Sequence, residues 1–187
     1  MVPRRVVDAH SAVLIPGVPR AGEEMREFES FPVIAFEERH RGGCASVIQS
    51  LPDWFGIEAS NRAYVAALGR LPTFVVEEEQ RVLGFAALEG TSTEAAEIHV
   101  IAVAPDWHRG GIGRALVSHA EDWVCSRKLS LLHVKTLAAS RPDPFYARTH
   151  RFYEAMGFHP LFESSLFWGP ENPTLVLVKS VGGPRLR

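Results

Sequence analysis

The residues best suited to chemistry lie in His108-Arg109-Gly110-Gly111-Ile112-Gly113-Arg114. They follow a β-branched run, Ile98 to Val103, and the strand-stopping Pro105. Glycines at a strand-to-helix turn let the backbone come close to a ligand, because no Cβ intervenes. The first turn of the next helix has N–H groups without intrahelical partners and the positive end of the macrodipole. The stretch therefore reads as a cradle for a phosphate or pyrophosphate. It is not a P-loop, since no Lys-Ser or Lys-Thr follows the glycines. Nor is it a dinucleotide fingerprint: Gly111 and Gly113 supply two glycines, but Leu116 or Ala115 stands where the third belongs.

Two further stretches flank the cradle. Ala96-Glu97-Ile98 opens the preceding strand, and Phe152-Tyr153-Glu154-Ala155-Met156-Gly157-Phe158 ends a helical pattern in glycine. Val103-Ala104-Pro105 and His108 to Gly113 together resemble the acetyl-CoA motif of the GNAT superfamily of N-acyltransferases. That motif has Gln or Arg, two residues, Gly, one residue, then Gly or Ala, after a strand ending V-x-P. His108 takes the Gln or Arg place and can still donate a hydrogen bond. Phe152 to Phe158 resembles the superfamily's second signature, F-Y-x-x-x-G-F. The resemblance spans residues 31–180.

It implies a splayed strand whose backbone at Ile101, Ala102 and Val103 bonds the pantetheine arm of acetyl-CoA. The amides of the Arg109, Gly110, Gly111, Ile112, Gly113 and Arg114 loop would hold the pyrophosphate, with Arg109 and Arg114 adding charge. Tyr153 matches the tyrosine near the coenzyme sulfur in many relatives and is the candidate general acid. Glu97 stands where histone acetyltransferases of the superfamily carry A-E-I and is the candidate base, with His99 behind it. In a regularly alternating strand Glu97, His99, Ile101 and Val103 share one face. The second signature commonly begins N-x-x-A; here Tyr146 and Thr149 fill those places, so Tyr146 and Arg148 are expected to substitute in holding the coenzyme.

The elements that must position these groups follow from periodicity and turn residues. Strands are expected at 31–36, 73–78, 81–88, 98–103, 131–137, 158–167 and 174–178, and helices at 42–51, 57–71, 113–127 and 145–156. The loop at Asp53-Trp54-Phe55-Gly56 shows two aromatics that look exposed. The order agrees with the fold that the resemblance implies: α+β, a single GNAT-like domain with a mixed, mostly antiparallel sheet flanked by helices. Residues 1–30 read as an N-terminal arm, 31–180 as the acetyltransferase domain and 181–187 as a tail.

A chain of 187 residues suits one buried core, and 46% hydrophobic with 22% charged residues is ordinary for a globular protein. A net charge of −2 gives no general attraction to nucleic acid or anionic membranes, so any anion site is local. No apolar run reaches the roughly 20 residues of a membrane span. Cys44 and Cys125 match no metal or redox spacing, which suits reduced thiols in the cytoplasm. His133, His150 and His159 form no metal set either.

The sequence thus leads to an N-acetyltransferase moving an acetyl group from acetyl-CoA to a primary amine by direct transfer in a ternary complex. A small-molecule acceptor is favoured, and no metal is needed. A homodimer through the terminal strands is consistent with relatives. The alternatives are a protein lysine or N-terminal acetyltransferase, and a coenzyme-A-binding sensor without catalysis. The aromatics Trp54-Phe55 and Phe162 to Trp168 are the expected acceptor side.

Overall fold

The computed structural model describes residues 31–182 and the backbone of Ala12–Val13. In chain order the elements are β1 (Ala12–Val13), β2 (Ile34–Ala35), α1 (Arg41–Gln49), α2 (Glu58–Ala67), β3 (Thr73–Glu78), β4 (Arg81–Gly90) and β5 (Ala95–Val103). Then follow α3 (Ile112–Ser126), β6 (Leu131–Leu137), α4 (Pro144–Ala155), β7 (His159–Ser164) and β8 (Thr174–Ser180). Seven strands form one sheet in the order β2-β3-β4-β5-β6-β8-β7, and β1 pairs with β5 beside it. Neighbours are antiparallel except β5 with β6 and β1 with β5, which run parallel.

The expected elements are present, with shifted ends. The first strand shrinks to Ile34–Ala35 because the chain turns at once into a short 3-10 turn, Glu38–His40. The second helix stops at Ala67, where Leu68 turns extended and Gly69 takes φ +76°. The fourth helix starts at Pro144, which needs no N–H partner there, and Asp143 caps it by accepting from the N–H groups of Phe145 (2.8 Å) and Tyr146 (3.1 Å). Most of the expected N-terminal arm lies outside the described residues.

Helices cover both faces of the sheet. One apolar layer joins Ile98, Ile101 and Val103 of β5 to Ile112, Leu116, Val117, Ala120 and Val124 of α3 and to Tyr153 of α4. The other joins Val100 and Ala102 to Cys44, Val47 and Ile48 of α1 and Tyr64 of α2. This division overturns the expected alternation along β5. Ile98 pairs with Leu88 but Val100 pairs with Ala87, so His99 is an extra residue in a β-bulge. The bulge exchanges the two faces beyond it. Ile101 and Val103 consequently face α3, while Glu97 and His99 belong to the face that α1 and α2 cover.

Candidate active site

Strand β5 keeps β4 as a neighbour from Ala96 to Val103, but it keeps β6 only from Ala95 to Glu97. Beyond the pair Glu97–His133 the two parallel strands part, so β5 presents a backbone edge there that β6 no longer bonds. Ile101, Ala102 and Val103 lie on this stretch, as the resemblance implies. Part of the edge has a partner within the chain, since Ala12 and Val13 pair in parallel with Val100 and Ile101.

The glycine loop sits at the C-terminal end of β5. Arg109 (φ +66°) and Gly111 (φ +96°) are both left-handed, and Gly111 is the N-cap of α3 with no side chain to cap it. The first turn of α3 holds no acidic residue, and Arg114 in it is exposed. An uncapped, acid-free helix start with a left-handed glycine before it is a fit for a phosphate group. His108, a candidate coenzyme contact, donates its Nε2–H to the Val103 carbonyl at 2.8 Å, which ties the loop to the strand end. Burial lowers its pKa, keeping the ring neutral at pH 7.

Tyr153 is completely buried, packed edge-on against Phe152 (5.2 Å) and Phe158 (5.1 Å). Its hydroxyl has no hydrogen-bond partner among the described residues. A buried, unpartnered phenol is costly, and it suits a site where a ligand atom completes the bond. Burial also holds its pKa well above 10, so the phenol keeps its proton at neutral pH.

Glu97 is 3% exposed and stands among charged groups from three strands. Glu89 is its register partner on β4, and His133 its partner on β6. Its Oε2 lies 3.0 Å from the Lys135 ammonium and 4.0 Å from His133 Nδ1, while Oε1 has no hydrogen-bond partner among the described residues. Burial outweighs Lys135 and pushes the carboxyl up to about 7, within reach of base duty at neutral pH. His133 is driven the other way, to about 4, by burial and by Lys135. His99 lies 3.2 Å from Glu89 through Nδ1 and meets Tyr64 edge-on at 5.8 Å. Glu97 and Tyr153 therefore approach the parted strands from opposite faces of the sheet.

The α1–α2 loop reaches across to α4. The Trp54 indole N–H donates to Thr149 Oγ1 (3.4 Å), its ring meets Phe145 at 4.9 Å and His108 at 6.2 Å, and Tyr146 donates its hydroxyl to the Trp54 carbonyl at 3.2 Å. Trp54 is half-buried and Phe55 buried, correcting the expectation of two exposed aromatics. Tyr146 also lines a cavity of about 410 Å³ with Ala138, Arg141, Pro144 and His150. Arg148 stacks on Phe145 at 5.8 Å. Lys135 and Glu89 escaped sequence reasoning. Lys135 sits two residues after His133 on an alternating strand, and that spacing is the signal that places it on the Glu97 face once the strands are in register. Among the described residues no group of acidic, His or Cys side chains could hold a metal. None of the described helices is long and apolar enough to cross a membrane.

Residues 70–160 match the family model described as the acetyltransferase (GNAT) domain. Solved structures of similar fold include a GNAT-family protein from Desulfovibrio desulfuricans, 19% identical over 81% of this chain and 99% of that one, TM-score 0.70. The ribosomal-protein-S18-alanine N-acetyltransferase from Escherichia coli is 19% identical over 83% and 98%, TM-score 0.63. An aminoglycoside 6'-N-acetyltransferase complexed with coenzyme A is 14% identical over 82% and 99%, TM-score 0.65. The parted strands, the uncapped glycine loop and the domain match agree: residues 70–160 carry an acetyltransferase (GNAT) domain, within the fold that these solved structures share.

Proposed function

We propose that the protein transfers the acetyl group of acetyl-CoA directly to a primary amine of a small molecule, with both substrates bound at once. The observation that carries this reading is the parting of β5 from β6 just after Glu97, with a buried carboxylate on one face and the unpartnered Tyr153 hydroxyl on the other. Glu97 takes a proton from the acceptor's ammonium or attacking amine, directly or through a water. The amine nitrogen bonds to the thioester carbonyl carbon, and the carbon–sulfur bond breaks. Tyr153 gives its proton to the departing thiolate. The loop from Arg109 to Arg114 and the backbone of Ile101, Ala102 and Val103 hold the coenzyme, with Tyr146 near its lower part. The free cysteines, Cys44 buried and Cys125 exposed, fit a cytoplasmic setting. The aminoglycoside-acetylating neighbour supports a small acceptor. The neighbour that acts on a ribosomal-protein alanine keeps a protein N-terminus as the second reading.

Thiol release from acetyl-CoA across polyamines, amino acids, aminoglycosides and peptides with free N-termini or lysines tests the proposal. Turnover with a small amine is expected. Turnover with peptides alone moves the acceptor to the second reading. Silence throughout, with coenzyme A still raising the melting temperature, points to a sensor.

A further inference from the structure

We propose that Lys135 is a positioning residue for the Glu97 carboxylate, and that Phe167 in the β7–β8 loop holds Lys135 in place. The proposal rests on Glu97 acting as the base. Glu97 and His133 are the last pair that β5 and β6 share, and Lys135 lies two residues further on, where β6 has already left β5. Its ammonium nevertheless reaches back to Glu97 Oε2 at 3.0 Å, so the side chain spans the point where the strands diverge. Lys135 is 8% exposed, and its ammonium sits 5.0 Å from the centroid of the Phe167 ring. The cation is therefore held between a carboxylate and an aromatic face.

The groups around Glu97 make this contact decisive. Glu89 on β4 is a like charge opposite it, His133 on β6 is neutral near pH 7, His99 on β5 pairs with Glu89, and Tyr64 on α2 is a neutral phenol. Lys135 is the one lysine or arginine among these neighbours. By pinning Oε2 it fixes the carboxylate's rotation and leaves Oε1, which has no hydrogen-bond partner among the described residues, as the oxygen that meets the amine. Because Phe167 belongs to the loop between the last two strands, an acceptor that moves this loop also moves the clamp on the base.

The test is a titration of the full chain labelled with ¹³Cδ-glutamate, the Glu97 signal being the one missing from Glu97→Gln. Lys135→Met is expected to raise the Glu97 midpoint by about one pH unit or more. Lys135→Arg should restore most of it, and Phe167→Leu should raise it by less. In thiol release with the best amine of the panel, Lys135→Met should lower kcat more than it raises the amine KM, and the acid limb should move with the midpoint. An unmoved midpoint and limb in folded Lys135→Met overturn the proposal. Should Lys135→Met not fold, Phe167→Leu decides alone: no change in the midpoint overturns the clamp. Full turnover by Glu97→Gln overturns both this proposal and the base. Loss of turnover in Glu97→Gln with Lys135→Met like wild type overturns this proposal only.

Discussion

Glu97 and His133 face each other in register across β5 and β6, and they are the last residues that the two strands pair. The same point in the sheet thus marks both the opening of the cleft and the buried carboxylate. Strand divergence and the placing of the buried carboxylate coincide here, two residues before the bulge at His99 on the same strand.

This geometry sets a pH dependence. A base works only when deprotonated, and burial pushes Glu97 up to about 7, so kcat/KM for the amine should fall as pH drops below about 7. His133 cannot supply that limb, because burial and Lys135 hold it near 4. Glu97→Gln is expected to remove the limb and cut kcat/KM tenfold or more, about 1.4 kcal/mol of transition-state stabilisation. A limb that persists in Glu97→Gln would assign it to another group.

Tyr153→Phe separates chemistry from folding. The hydroxyl has no hydrogen-bond partner among the described residues, so removing it deletes no bond within this part of the chain and relieves a buried polar group. The melting temperature of the free protein should stay level or rise, while kcat falls tenfold or more. A lower melting temperature with unchanged kcat would make the residue a packing aromatic.

Arg114→Glu should divide coenzyme binding from stability in the opposite sense. A carboxylate in the first turn of α3 complements the helix dipole, by about 0.3–1 kcal/mol, and leaves the free protein as stable or more so. The same charge repels a pyrophosphate at the Gly111 cap. Calorimetry with coenzyme A should show binding weakened severalfold, and unchanged affinity would move the anion away from this helix start.

Strand β1 bears on the proposed coenzyme site. Ala12 and Val13 pair with the edge of β5 at Val100 and Ile101, and Ile101 is one of the residues expected to bond the pantetheine arm. One backbone group cannot serve both, so a chain lacking residues 1–30 should bind coenzyme A severalfold more tightly. Equal or weaker binding by calorimetry would show that this segment does not compete.

Through the family resemblance Glu97 and Tyr153 stand as candidates for proton transfer; by itself the amino-acid sequence determined the order of elements and the glycine loop with its helix. Those features are local: they depend on periodicity, on glycine and proline at turns, and on residues adjacent in the chain. Tertiary structure alone decided which face Glu97 occupies, because a single extra residue at His99 reverses the alternation beyond it and only pairing with Leu88 and Ala87 reveals it. It also decided the partners. Lys135 meets Glu97, and Trp54 meets Thr149, across separations that no local pattern records, since register between parallel strands and loop-to-helix packing are settled by the whole sheet.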